Sequence, residues 1–215
     1  MPLVDHSHRL THGTPTYPGV PGPRIDNYLS FEESSHHYAE GTEFQILTIA
    51  MATATGTYLD APRHRYRDGD TVADLSLSQC VELPALVITA PEEGPIGPEM
   101  LPTNVDGHAV LLHTDWDRWW ETDTYGSHQH PHLTADAAKL LRDNRAALVG
   151  IDSVNIDATD HSERPVHSIL LAAGIPIVEN LTALSQAPAS GATFTAAPLA
   201  IDPLPSVPVR AYSRF

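Results

Sequence analysis

Asp60 and His64 stand four residues apart in the stretch Ala54-Thr55-Gly56-Thr57-Tyr58-Leu59-Asp60-Ala61-Pro62-Arg63-His64. A carboxylate and an imidazole at that separation can share a divalent cation or pass a proton, or can form a structural hydrogen bond within a loop. The residue before a proline is pushed to extended backbone, so Ala61 stiffens the segment and holds the two side chains at a set separation. A second group lies downstream. Glu163-Arg164-Pro165-Val166-His167 opens a helix, with Pro165 suited to the first helical position, and Ile177-Val178-Glu179 ends the strand that follows. A hairpin of that length can bring His167 and Glu179 together. A carboxylate, an imidazole and a second carboxylate arriving from separate segments form the donor set of a divalent-cation site.

The elements that must position these groups are mostly strands. Phe44 to Met51, Leu86 to Ile88, Val110 to Leu112, Ala147 to Ile151, Ile175 to Val178 and Val207 to Tyr212 read as strands, the last at an edge because of Pro208. Two helices are expected. One starts at the N-cap Thr134 and runs toward Asn144; the other starts near Pro165 and stops at Gly174. The sum is a mixed α/β chain, richer in strand than in helix. Its 215 residues suit one domain, residues 1–215, with a substantial core. Nineteen prolines spread along the chain point to ordered loops and strand edges rather than to a disordered tail.

The formal net charge is -15, from 12 basic and 27 acidic residues. No basic footprint for nucleic acid or for an anionic membrane surface is visible. The N-terminus lacks a basic region followed by an apolar stretch, and no apolar run approaches ~18 residues, so a cytoplasmic chain without a membrane span is expected. The single cysteine, Cys80, excludes an intramolecular disulfide and is read as a buried packing thiol. Thirteen histidines invite a metal reading. His128, His130 and His132 nevertheless fall in what looks like a solvated surface loop, and His36-His37 in a loop that could reach over a pocket. Trp116, Trp119 and Trp120 are dense for a loop and are expected to wall a pocket or a subunit interface, with the pocket preferred for Trp116. Asp152 and Asp157 are expected to cap or buttress turns.

Several of these motifs, in this order, resemble those of the cyclase superfamily that includes bacterial kynurenine formamidase (arylformamidase) and isatin hydrolase. Val4-Asp5-His6-Ser7-His8 is similar to its first strand, and Pro15-Thr16-Tyr17-Pro18-Gly19 to its N-terminal substrate loop. Residues 54–64 are similar to its central motif, His-x-Gly-Thr-His-x-Asp-x-Pro-x-His. Gly150-Ile151-Asp152-Ser153, the stretch 165–181 and Pro208-Val209-Arg210-Ala211 complete the likeness. The resemblance implies a swivelling β/β/α fold, a strand-rich core with packed helices, a homo-oligomer and metal-assisted hydrolysis of an amide. It implies Asp60, His167 and Glu179 as metal ligands, His64 as the proton carrier and Tyr17 against the substrate. Two motif histidines fall on Ala54 and Tyr58. An alanine cannot coordinate and a neutral phenol is a poor ligand, so the metal position they would complete is expected to be lost.

Three readings stand. In the first, a hydrolase of a small amide or lactone holds one divalent ion on Asp60, His167 and Glu179, with zinc, manganese and magnesium all chemically admissible. In the second, no metal binds, and Tyr58 and His64 promote proton transfer in a cyclase, isomerase or dehydratase acting on a polyketide-like or other secondary metabolite. In the third, the pocket binds a small molecule without turnover.

Overall fold

The structure, a computed structural model, describes residues 2–15 and 17–215; Thr16 of the N-terminal loop motif lies outside them. In chain order its elements are β1 (Leu3–Asp5), β2 (Arg24–Leu29), α1 (Phe31–Ser35), β3 (Ile46–Ala50), β4 (Tyr58–Asp60), β5 (Leu83–Thr89), β6 (Pro95–Ile96), β7 (Ala109–His113), β8 (His132–Leu133), α2 (Ala135–Asp143), β9 (Leu148–Ile151), α3 (Pro165–Ala172), β10 (Ile177–Glu179), β11 (Ala192–Thr195), β12 (Ser206–Pro208) and β13 (Tyr212–Arg214). Nine of the strands form one sheet in the order β1-β13-β11-β5-β7-β9-β10-β4-β12. Its centre, β5 to β10, is parallel, and β4 joins β10 antiparallel.

The central strands are apolar on both faces because both faces are covered. On β7, Ala109 and Leu111 enter one apolar layer with Leu59, Leu148, Val178 and Phe194. Val110 and Leu112 enter the opposite layer, with Val149, Ile151 and Ile177, beneath α2 and α3. That is the two-residue period of a strand. Helix α2 begins at the expected N-cap, where the Thr134 side chain accepts from the Ala137 N–H. At Gly150 a Cβ would come within 2.7 Å of a Leu181 methyl and 2.9 Å of a Leu111 methyl, so a larger residue would force both leucines to shift.

Two strand readings are corrected. The chain expected to run as one strand from Val207 to Tyr212 forms two. β12 lies on β4 at the sheet edge, where Pro208 needs no ladder donor, and β13 is inserted between β1 and β11. The Phe44 to Met51 strand narrows to β3. It pairs with β2 alone, and all five of its residues are exposed despite their apolar character. The histidine tract is corrected as well. His130 is fully buried, with one ring nitrogen bonded to Pro131 O and the other to Thr159 Oγ1, whereas His128 and Gln129 are exposed, so the loop is solvated at its tip and packed at His130. Cys80 is buried as expected, and burial pushes its thiol up to about 11. Among the described residues no helix is long and apolar enough to cross a membrane.

Candidate functional site

The β4–β10 pairing builds the site. Register places Glu179 opposite Tyr58 and Ile177 opposite Asp60. Leu59 and Val178 face one apolar layer, so Tyr58, Asp60 and Glu179 face the other, the side on which α3 packs. Helix α3 then delivers His167 from its first turn. His64 comes from the 3-10 turn after β4, entered through extended Ala61 (φ -95, ψ 166), the conformation expected before Pro62.

His167 Nε2 lies 3.6 Å from Asp60 Oδ2 and 3.6 Å from Glu179 Oε1. His64 Nδ1 lies 3.3 Å from Asp60 Oδ1. Asp60 and Glu179 are fully buried and His167 almost so, whereas His64 is exposed on one side. Among the described residues neither Asp60 carboxylate oxygen has a hydrogen-bond partner. A buried carboxylate with no donor is costly, by several kcal/mol as a bare ion, and is ordinarily neutralised or metal-bound. Separations of 3.6 Å are too long for hydrogen bonds. They suit donor atoms arranged around one ion at ~2.0–2.2 Å from each. The donor set therefore fits a divalent cation on Asp60 and His167, with a third donor offered by Glu179, 3.6 Å from His167 Nε2, or by His64; ligand atoms of Asp60, His64 and His167 all lie within 4.8 Å of one another.

Asp157 completes the arrangement. Its carboxylate accepts from the Val166 and His167 N–H groups, satisfying the start of α3, where Arg164 at the N-cap supplies no side-chain acceptor. The same carboxylate takes His167 Nδ1 at 2.7 Å, which turns Nε2 toward Asp60 and Glu179. Such a carboxylate behind a histidine fixes its tautomer and strengthens it as a ligand. The sequence leads one to expect Asp157 to cap or buttress a turn; it caps the start of α3 and in addition holds His167. What the sequence offers toward the second role is an acidic residue upstream of a helix whose own N-cap cannot cap it.

Electrostatics follow from this crowding. Burial drives the His167 imidazolium down, but Asp157, Asp60 and Glu179 outweigh it and raise His167 to about 10. Burial and the Asp60 charge push Glu179 up, while His167, Tyr58 and the Ile156 N–H pull it back, leaving it raised to about 7. Without a metal the imidazolium is the compensating cation; a bound divalent ion would displace its Nε2 proton. Tyr58 occupies a lost histidine position. Its buried hydroxyl donates to Glu179 Oε2, and burial beside Glu179 and Asp60 holds the phenol neutral, well above its ordinary range. The phenol thus covers one Glu179 oxygen and leaves Oε1 to Ile156 N and His167.

The Gly56-Thr57 turn ties the motif to the rest of the site. Gly56 adopts φ +63, and a Cβ there would meet Leu10 at 2.7 Å. Thr57 Oγ1 donates to Asn180 O and accepts from His8 N, and Asn180 Nδ2 donates to Gly56 O. Tyr58, His64, Arg65, Asn155, Arg164 and His167 line a cavity of about 110 Å³. Tyr17 and Trp116 are not among these lining residues. Tyr17 lines a separate hollow of about 300 Å³ with Trp120 and Tyr125. Trp116 is buried in an aromatic cluster, its Nε1 donating to Tyr125 O, because the turn after β7 folds inward. Asp152 does buttress a turn, accepting from the Thr114 and Asp115 N–H groups.

The family model described as "Putative cyclase" matches residues 4–158. A kynurenine formamidase of Geobacillus thermodenitrificans is 30% identical over 213 residues, covering 99% of this chain and 97% of its own. Isatin hydrolase A from Ralstonia solanacearum superposes with a TM-score of 0.82 at 26% identity, over 99% of this chain and 91% of its own. A protein described as a potential metal-dependent hydrolase with cyclase activity shares the fold at 24% identity and a TM-score of 0.78, over 99% and 96%. The motif around Asp60, the α3–β10 hairpin and these likenesses agree: the chain belongs to the cyclase family, and is a hydrolase of it.

Proposed function

We propose that this protein hydrolyses a small amide, open or cyclic, or a lactone, with one divalent ion held by Asp60, His167 and Glu179. The buried Asp60 carboxylate without a donor, facing His167 Nε2 at 3.6 Å, is the observation that carries this reading. The names of the relatives, formamidase and isatin hydrolase, support amide chemistry. When bound, the ion supplies Lewis acidity. The chain's residues do the rest. Asp157 keeps His167 Nδ1 occupied and its ring oriented. Tyr58 holds Glu179 in place. His64, partly solvent-exposed and 3.3 Å from Asp60, takes a proton from the attacking water and returns it to the departing nitrogen or oxygen. The metal-free reading needs Tyr58 to donate to a substrate carbonyl, but its proton is engaged by Glu179. Two carboxylates and one imidazole favour manganese or zinc. Elemental analysis of untagged protein purified without added metal tests the proposal. One ion per chain, lost together with amide hydrolysis on chelation and restored by Mn²⁺ or Zn²⁺, is expected. Full hydrolytic activity in metal-free protein would refute it.

We also propose that the chain works as a homo-oligomer, with a second copy covering the β2–β3 ribbon. Tyr28, Phe44, Ile46, Leu47, Ile49 and Met51 are all exposed there. Together with Phe31 and Tyr38 they present on the order of 800 Å² of large apolar side chain, the per-partner area of a standard interface. Light scattering showing only a 23.3 kDa species would contradict this.

A further inference from the structure

Basic residues are scarce in this chain, 12 against 27 acidic. Among the described residues seven of them make ion pairs with a carboxylate. The five that make none are Arg9, Arg63, Arg65, Arg67 and Arg164. Four of those five come from two short segments beside the candidate site, and two of them, Arg65 and Arg164, line its cavity. Among the described residues, an acidic protein leaves these guanidiniums without carboxylate partners where it also concentrates Asp60, Asp157 and Glu179.

Both guanidiniums are anchored and both keep free donors. Arg164 Nη1 donates to Ala158 O, His161 O and Glu163 O at 3.2, 2.8 and 2.7 Å, and its other two nitrogens have no partner among the described residues. Arg65 Nε donates to Ser168 Oγ at 3.0 Å, and its guanidinium carbon sits 5.4 Å from the centre of the Tyr66 ring; its two terminal nitrogens are likewise unpaired. His64, Arg65 and Arg164 also line an adjoining hollow of about 550 Å³, with Glu163, Pro165 and Ser168. That size suits the body of a small-molecule ligand.

We infer that Arg65 and Arg164 hold a carboxylate of the substrate, beside the bond that is cleaved at Asp60, His64 and His167. The inference rests on the proposed hydrolytic reading and names the substrate class for that same site. Guanidinium groups recognise carboxylates through paired N–H donors, and anchoring before binding lowers the ordering cost. Two arginines against Glu163 leave one net positive charge at the mouth, which matches a carboxylate better than a dianionic phosphate. Without them, the three buried carboxylates would repel an anionic substrate.

The test compares formanilide with 2-formamidobenzoate, which adds one carboxylate to the same skeleton, and measures benzoate binding by calorimetry. Wild-type protein is expected to favour the carboxylated amide in kcat/KM by roughly ten- to hundredfold, the scale of hydrogen bonds to a charged group. Arg65→Met and Arg164→Met should each cut that preference and the benzoate affinity about tenfold, and Arg164→Lys should restore part of both. Arg9→Met, an unpaired arginine in a hollow with Asp5 and Arg210, serves as the control and should change neither. Arg65 is exposed and holds only one side-chain hydrogen bond, so its variant folds even if Arg164→Met disturbs the loop it braces. Equal kcat/KM for the two amides in wild type, or a preference untouched by Arg65→Met and Arg164→Lys, would overturn the inference while leaving hydrolysis intact. If neither amide is cleaved, open formamides drop out of the hydrolytic reading while cyclic amides and lactones stay in it, and benzoate binding alone decides the inference: weakening in the Arg65 and Arg164 variants sustains the anion site, and unchanged binding removes it.

Discussion

Two antiparallel pairs of short strands in this molecule reverse the usual relation between polarity and burial. β4 and β10 carry Tyr58, Asp60 and Glu179, and every one of their six residues is buried. β3 carries Ile46, Leu47 and Ile49, yet all five of its residues are exposed, and its partner β2 is exposed nearly throughout. The first pair lies inside a nine-stranded sheet, under α3; the second is a free-standing ribbon. Position in the architecture, not strand composition, sets burial. Each pair therefore carries a deficit that something else must offset. Buried carboxylates call for a cation, and exposed apolar side chains call for a covering surface.

The comparison breaks most decisively at the carboxylates. Asp60→Asn and Glu179→Gln are expected to abolish metal uptake and lower kcat/KM about a thousandfold or more, the scale of several kcal/mol of Lewis-acid stabilisation. A variant that keeps full metal content by mass spectrometry would show that these carboxylates are buried for another reason. One step smaller, His64→Ala should retain the ion and slow turnover about a hundredfold, as loss of a general acid/base does. Tyr58→Phe should be milder in rate and cost about 1–3 kcal/mol of stability, because Glu179 Oε2 then loses its donor. A collapse in rate at Tyr58→Phe with His64→Ala unaffected would favour the metal-free reading.

On the ribbon, Leu47→Lys with Ile49→Asp should convert the assembly to a 23.3 kDa species in sedimentation while leaving far-ultraviolet dichroism and metal content unchanged. Loss of metal content in that variant would mean that the two regions are not independent. The smallest effect concerns buried polarity away from the site. Burial holds His130 down to about 4, against an ordinary 6.5. The unfolded chain then binds the extra proton between those values, so stability is fully present above pH 6.5 and is lost as pH falls toward 4. His130→Gln should flatten that acid limb of the Tm profile; an unaltered profile would place the acid sensitivity elsewhere.

Much of the site was legible before the fold. Asp60, His64, His167 and Glu179 sit where a Pro-stiffened turn, a helix start and a strand end place them, and these are local signals. The N-caps and the edge character of Pro208 were local too. Tyr17 and Trp116 show the limit. Aromatic density marks a cluster, but which side of that cluster meets a cavity depends on the turn after β7 and on the N-terminal loop, both set by distant contacts. His130 is where the expectation is overturned: polar composition suggested solvent, and contacts with Pro131 and Thr159 seal it instead.

The sequence by itself determined the donor types, the loss of imidazole at Ala54 and Tyr58, the scarcity of basic residues, and a strand-rich α/β chain, since each is a property of residue identity or short-range pattern. Only the tertiary structure decided that Asp157 serves both the α3 N-terminus and His167, that the Tyr58 phenol is spent on Glu179, and that Arg65 and Arg164 meet at one cavity without carboxylate partners. The last two depend on strand register and helix packing between segments about 100 residues apart, and the first on the loop that returns Asp157 to the start of α3, none of which local preference encodes. The exposed β3 belongs with them: its apolar pattern is that of a core strand, and only the tertiary structure shows that no layer of the described residues lies over it.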